Sequence, residues 1–178
     1  MRFSKALPIL FSELQKRRID HALVGGLALY TLGSSRSTFD ADFLILLSQA
    51  DDVDVLMKSI GYDLLERTAE TSHYGSRNPD MGQVDFLFAH RSYALAMLQR
   101  ATDNKLLGHP IRVIRPEDLI GLKVQSSSND PNRADKDLAD IQEVMLRHGK
   151  TMDWNLIADY FRIFKREKEL DQLKKRFA

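Results

Sequence analysis

The 178-residue sequence predicts an α/β (α+β) protein: a mixed β-sheet with flanking helices, then a helical C-terminal region. Two observations carry this. Short apolar runs with strand-like alternation are interleaved with helix-period segments up to residue 115, whereas from Pro116 onward only helical patterns occur. The expected organisation is an α/β domain over 1–115 and a helical region over 116–178 that forms the far wall of a cleft.

The elements follow in order. Leu7, Leu10, Phe11 and Leu14 recur at helical spacing within 4–18, and Lys16, Arg17 and Arg18 lie at the end where the helix dipole favours cations. "HALVG" (21–25) is a short apolar strand, and "GLALYTLG" (26–33) a helix stopped by Gly33. "FDADFLILL" (39–47) is a strand, 51–60 a helix and "YDLLERT" a further strand. "SHYGSRNPDMG" has the glycine, Asn-Pro and aspartate content of a turn or mobile loop. "QVDFLFA" (83–89) alternates as a strand; a helix over 92–101 and a strand near "HPIRVI" (109–114) come next. Among the C-terminal helices, "SSSNDPNR" (126–133) reads as a linker.

Composition narrows the setting. The chain is 43% hydrophobic and 29% charged, which is ordinary for a globular protein and argues against bulk disorder. No apolar run approaches the roughly twenty residues a bilayer requires, and the first residues lack a cleavage pattern, so no membrane association and a cytoplasmic location are expected. Without cysteine, disulfides, thiolate catalysis and thiolate zinc sites are excluded. A formal charge of +1 neither requires nor excludes a nucleic-acid partner, because a local basic patch matters more than the sum.

The chemistry gathers on three aspartates. Strand side chains alternate faces, so Asp40 and Asp42 share one face while Phe39, Ala41 and Phe43 take the other. Asp85, between Val84 and Phe86, repeats the arrangement in "QVDFLFA". An isolated carboxylate costs several kcal/mol to bury, and neighbouring ones repel, so a cation is expected among them. Oxygen donors without Cys or His in either motif suit Mg²⁺ or Mn²⁺, and carboxylates bridging two such ions form a clamp for in-line phosphoryl or nucleotidyl transfer. Gly25-Gly26, where a strand runs into a helix, lets bare N–H groups approach an anion closely. The competing structural reading is an acid-lined strand end that caps helices or pairs with Arg36.

As a set, "VGGLALYTLGSSRSTFDADFLI", "IRPEDLIGLKV" and "NRADKDLADI" resemble the nucleotidyltransferase superfamily related to DNA polymerase beta. The similarity covers roughly 20–146 and is greatest to the small prokaryotic branch containing abortive-infection toxin nucleotidyltransferases. The resemblance implies transfer of a nucleoside monophosphate from an NTP such as ATP to a hydroxyl acceptor: RNA or tRNA, protein, or a small molecule. It implies a possible place in a toxin–antitoxin pair. Gly25 and Gly26 would hold the triphosphate, Asp40 and Asp42 both metals, and Asp85 one metal and the proton of the attacking hydroxyl. Arg36 and Lys123 match nucleotide-contacting positions. The alternative is a nucleotide-binding or interaction module of the same fold without turnover.

Other residues have bland readings beside functional ones. Asp137 and Asp140 are expected to serve a helix start, where the dipole favours acids. The tail "FRIFKREKELDQLKKRF" reads as a solvated amphipathic helix, with RNA-backbone contact as the rival. Of five scattered histidines, His73, in the expected loop before the Asp85 strand, merits mutation, and Tyr74 with Arg77 is a candidate base-stacking pair.

Overall fold

A computed structural model describes residues 3–35 and 38–178. It divides into two compact units, one of residues 1–31 and 36–114, the other of 32–35 and 115–178.

In the first unit, among the described residues, seven strands form one mixed sheet. They are β1 (His21–Val24), β2 (Asp40–Leu46), β3 (Tyr62–Arg67), β4 (Thr71–Ser76), β5 (Gln83–Ala89), β6 (Thr102–Leu106) and β7 (His109–Val113), in the order β3-β4-β5-β2-β1-β7-β6. Pairing is parallel between β2 and β5 and between β1 and β7, and antiparallel elsewhere. Helices α1 (Phe3–Lys16), α2 (Gly25–Thr31), α3 (Ala50–Ser59) and α4 (Ser92–Arg100) accompany it. Leu7, Leu10 and Leu14 of α1 are buried, and Phe11 meets Phe43 of β2 edge to face at 6.2 Å.

The centre of the sheet is held by aromatic packing. Phe43 stacks on its cross-strand partner Phe86 at 5.6 Å, and Tyr74 of β4 abuts Phe86 edge to face at 5.7 Å. Such pairs add about 0.5–1.5 kcal/mol beyond their buried area. They also fix register, because a slip of one residue would turn these rings to the opposite face and the aspartates into the core.

The second unit consists of α5 (Pro116–Asn129), α6 (Ala134–His148), α7 (Trp154–Ile163) and α8 (Glu167–Phe177), with residues 32–35. Pro116 at the start of α5 occupies the position where its missing N–H costs nothing. Gly121 lets α5 approach α7: a Cβ there would lie 2.7 Å from the Tyr160 ring. The Tyr160 hydroxyl donates to Asp118 Oδ1 at 2.6 Å. Asp153 caps α7 by accepting from the Asn155 and Leu156 N–H groups. No helix among the described residues is long and apolar enough to cross a membrane.

Two local expectations need correction, and one strand was not foreseen. The expected loop after residue 71 begins as strand β4, because Ser72 and Tyr74 alternate into the core and the segment pairs with both β3 and β5. The Asn-Pro turn follows it. The short strand β6 had no alternating signature, since four of its five residues are exposed. Finally, α5 continues through Ser126–Asn129 where a linker was expected. The Ser127 and Ser128 hydroxyls donate back to the Lys123 and Val124 carbonyls, which satisfies residues that otherwise compete with helix.

Candidate active site

The acids come together through strand register. Asp42 and Asp85 are cross-strand partners in the parallel β2–β5 pair, so their side chains leave the same face of the sheet from Cα positions about 4.8 Å apart. Asp40, opposite Gln83, lies two residues earlier on that face. All three aspartates are half-buried. Beneath them, Ala41, Phe43, Val84 and Phe86 are buried on the opposite face.

Gly25, the first residue of α2 directly after β1, shapes the same spot. Its φ of +64° is one that L side chains rarely adopt, and a Cβ there would lie 2.5 Å from Cγ and 2.8 Å from Cβ of Asp42, closer still to Oδ2. The missing side chain of Gly25 thus makes the space that the Asp42 carboxylate fills. A Cβ on Gly26 would lie 2.6 Å from the Thr38 Cβ.

On the other side of Asp85 stands a residue whose setting the sequence did not reveal. His73 of β4 is the cross-strand partner of Asp85, and its Nδ1 lies 2.9 Å from Asp85 Oδ1. Asp42, Asp85 and His73 therefore form a row across three adjacent strands. The weak alternation of buried Ser72 and Tyr74 around His73 was the available signal. Farther along this side, Gln83, Gly75, Asp63, Leu65 and Arg77 line a hollow of about 390 Å³.

Tyr74 has no freedom to stack on a base. It is 1% exposed, and its hydroxyl donates to Asp54, which also pairs with Arg67. Burial pushes its pKa up.

Lys123 lies in the second unit and is 7% exposed, with Nζ 3.0 Å from Asp137 Oδ1 and 2.7 Å from Asp140 Oδ2. Arg133 Nε adds a contact with Asp137 Oδ2 at 3.5 Å. Asp137 and Asp140 thus do more than favour a helix start: they neutralise a buried ammonium. Burial pushes the Asp137 carboxyl up, but hydrogen bonds from Ser126 and Lys123 and the charges of Lys123 and Arg133 outweigh it and hold the pKa below the usual carboxylate range. Arg36 lies outside the described residues.

The donor chemistry fits a hard divalent cation: carboxylates on adjacent strands, with space for one of them kept open by Gly25. Among the described residues no three acidic or histidine side chains are gathered closely enough to enclose an ion by themselves. Such a requirement suits Mg²⁺ poorly in any case, since it keeps several waters and is bound through one or two carboxylates together with substrate phosphates.

A family model described as "Nucleotidyl transferase of unknown function (DUF2204)" matches residues 3–178. The chain belongs to this nucleotidyl transferase family. The nucleotidyl transferase fold recurs in solved structures. One is the antibiotic-resistance factor ANT(2″)-Ia, at 11% identity, covering 97% of each chain with a TM-score of 0.70. Another is an antigenic nucleotidyltransferase-like protein from Paracoccidioides brasiliensis, at 21% identity, covering 98% of this chain and 92% of that one with a TM-score of 0.60. The lincosamide antibiotic adenylyltransferase LnuA matches at 15% identity over 79% of this chain and 94% of its own, with a TM-score of 0.58. At these identities the likeness is one of fold. No curated protein matches the chain.

Proposed function

We propose that this nucleotidyl transferase moves a nucleoside monophosphate from an NTP to a hydroxyl acceptor, with Mg²⁺ or Mn²⁺. The observation that carries the reading is the parallel register of Asp42 against Asp85, with the Asp42 carboxylate seated against the bare Cα of Gly25. Asp40, Asp42 and Asp85 are the carboxylates that would hold the cation, with waters and substrate phosphates completing its shell, and Gly25 and Gly26 would receive the triphosphate. When bound, the metal offsets phosphate charge and orients the reacting oxygens. Asp85 accepts the acceptor's proton at its carboxylate. The acceptor oxygen forms a bond to the α-phosphorus, the bond from that phosphorus to the bridging oxygen breaks, and pyrophosphate leaves with the electron pair.

The hollow beside Gln83 lies on the Asp85 side and is assigned to the acceptor. Two fold neighbours are described by antibiotics: LnuA was solved lincomycin-bound, and ANT(2″)-Ia in complex with adenylyl-2″-tobramycin. Small hydroxylated molecules are therefore tested with RNA, tRNA and protein, using ATP as the first donor. The resemblance to abortive-infection toxins makes growth arrest on expression in the cytoplasm the cellular phenotype to score.

The test is incubation with each α-labelled NTP, Mg²⁺, and either total RNA, cell lysate or aminoglycoside and lincosamide antibiotics. Label is expected on one acceptor class, with release of pyrophosphate. Absence of transfer from every NTP, together with no rise in melting temperature on adding NTP and Mg²⁺, would overturn the reading in favour of a module without turnover.

A further inference from the structure

We propose that His73 is a positioning residue that holds the Asp85 carboxylate in place for transfer, an inference that rests on the reading of the site given above. The geometry is a four-residue chain. His73 Nδ1 lies 2.9 Å from Asp85 Oδ1, His73 Nε2 lies 3.2 Å from Thr71 Oγ1, and Thr71 Oγ1 lies 3.1 Å from Thr68 Oγ1. Thr68 Oγ1 accepts the backbone N–H groups of Glu70 at 3.1 Å and Thr71 at 3.0 Å.

Proton positions follow from the chemistry of each group. An ionised carboxylate only accepts, so Nδ1 carries a hydrogen. The neutral ring then offers Nε2 as acceptor, and the Thr71 hydroxyl donates to it. Thr71 Oγ1 accepts from the Thr68 hydroxyl, whose oxygen is already engaged by two N–H groups. Donation runs one way, from the turn between β3 and β4 to Asp85. The ring is thereby fixed at both nitrogens by partners in the sheet and its turn.

Magnitudes separate positioning from stability. The side chains of His73 and Asp85 are 37% and 23% exposed, and a hydrogen bond this open to solvent contributes little to folding. A hydrogen bond that orients a metal-binding carboxylate matters far more to the site: losing such a partner typically costs 10–100-fold in metal affinity or activity. His73 occupies Oδ1 and sits on the face of Asp85 away from Asp42, where a partner can restrain the carboxylate without occupying the space between the two acids.

Three variants and one spectrum test this. Asn places an amide N–H near the position of Nδ1, whereas Gln places it near Nε2. His73→Ala and His73→Gln are expected to lower kcat and Mn²⁺ affinity by about 10–100-fold, with the NTP KM nearly unchanged. His73→Asn should recover most of both, and all three should melt close to the wild type. In ¹⁵N spectra of the neutral ring, wild-type His73 should carry its proton on Nδ1, and Asp85→Ala should shift it toward Nε2. Asn as impaired as Ala, or all three variants as active as wild type, would overturn the proposal. A proton on Nε2 in an active wild-type chain overturns the positioning role alone. A proton on Nδ1 in a chain that transfers no label overturns the reading of the site, and the positioning role with it.

Discussion

The side chain that Gly25 lacks would occupy the place of the Asp42 carboxylate. Gly25→Ala therefore has two costs, a φ of +64° and a collision with Asp42, whereas Gly108→Ala has only the first: its φ is +82° and nothing lies within 4 Å of the new Cβ. The left-handed conformation costs a side chain roughly 1–2 kcal/mol. Thermal unfolding should show Gly25→Ala less stable than Gly108→Ala, and Asp42→Ala should restore part of the difference with a coupling of at least about 0.5 kcal/mol. Additive effects would mean the two residues do not share the space.

Asp85→Asn should lower label transfer by at least about 10²-fold, the usual scale for lost proton transfer, with NTP binding largely retained. Single-turnover assays with separate NTP-binding measurements check this. Undiminished turnover would remove Asp85 from the mechanism.

Asp40→Asn removes one charge from an acidic face. In EDTA the variant should melt at or above the wild type. With Mg²⁺ and NTP at a hundredfold excess over Kd, the wild type should gain about 2.7 kcal/mol and the variant much less. A variant less stable than wild type in EDTA would show that Asp40 serves the fold.

Lys123→Met leaves Asp137 and Asp140 buried without their shared ammonium. Breaking a buried pair from one side costs about 3–5 kcal/mol, so denaturant titration should show a loss of that size. Unchanged stability with a raised NTP KM would instead support the nucleotide-contacting role implied by resemblance.

The Asp137 carboxyl has a folded-state pKa below its unfolded value. The unfolded chain binds the proton more readily, so this residue's contribution is fully present above the unfolded pKa of about 3.9 and is lost as pH falls through the folded value. The stability gap between wild type and Asp137→Asn should stay level above about pH 5 and close under stronger acid. A gap that widens on acidification would reverse the assigned direction.

By itself the sequence determined the fold class, the glycine pair at the first strand–helix junction and the aspartates on strands. Each of these is written in neighbouring residues: period-2 alternation, an apolar run interrupted by acids, and a break to helical spacing after Pro116. Tertiary structure alone decided that β5 lies beside β2 in parallel with Asp85 level with Asp42, because strand pairing joins segments far apart in sequence and register is set by the buried Phe43, Phe86 and Tyr74. It also decided that "TSHYGS" is a strand: its polar residues gain their ladder only from neighbours on both sides, and that placement brings His73 to Asp85. Lys123, Asp137 and Asp140 form the plainest case. Helical spacing of charges looks the same whether a face is solvated or packed, so only the packing of α5 against α6 turned an ordinary-looking lysine into the centre of a buried ion cluster.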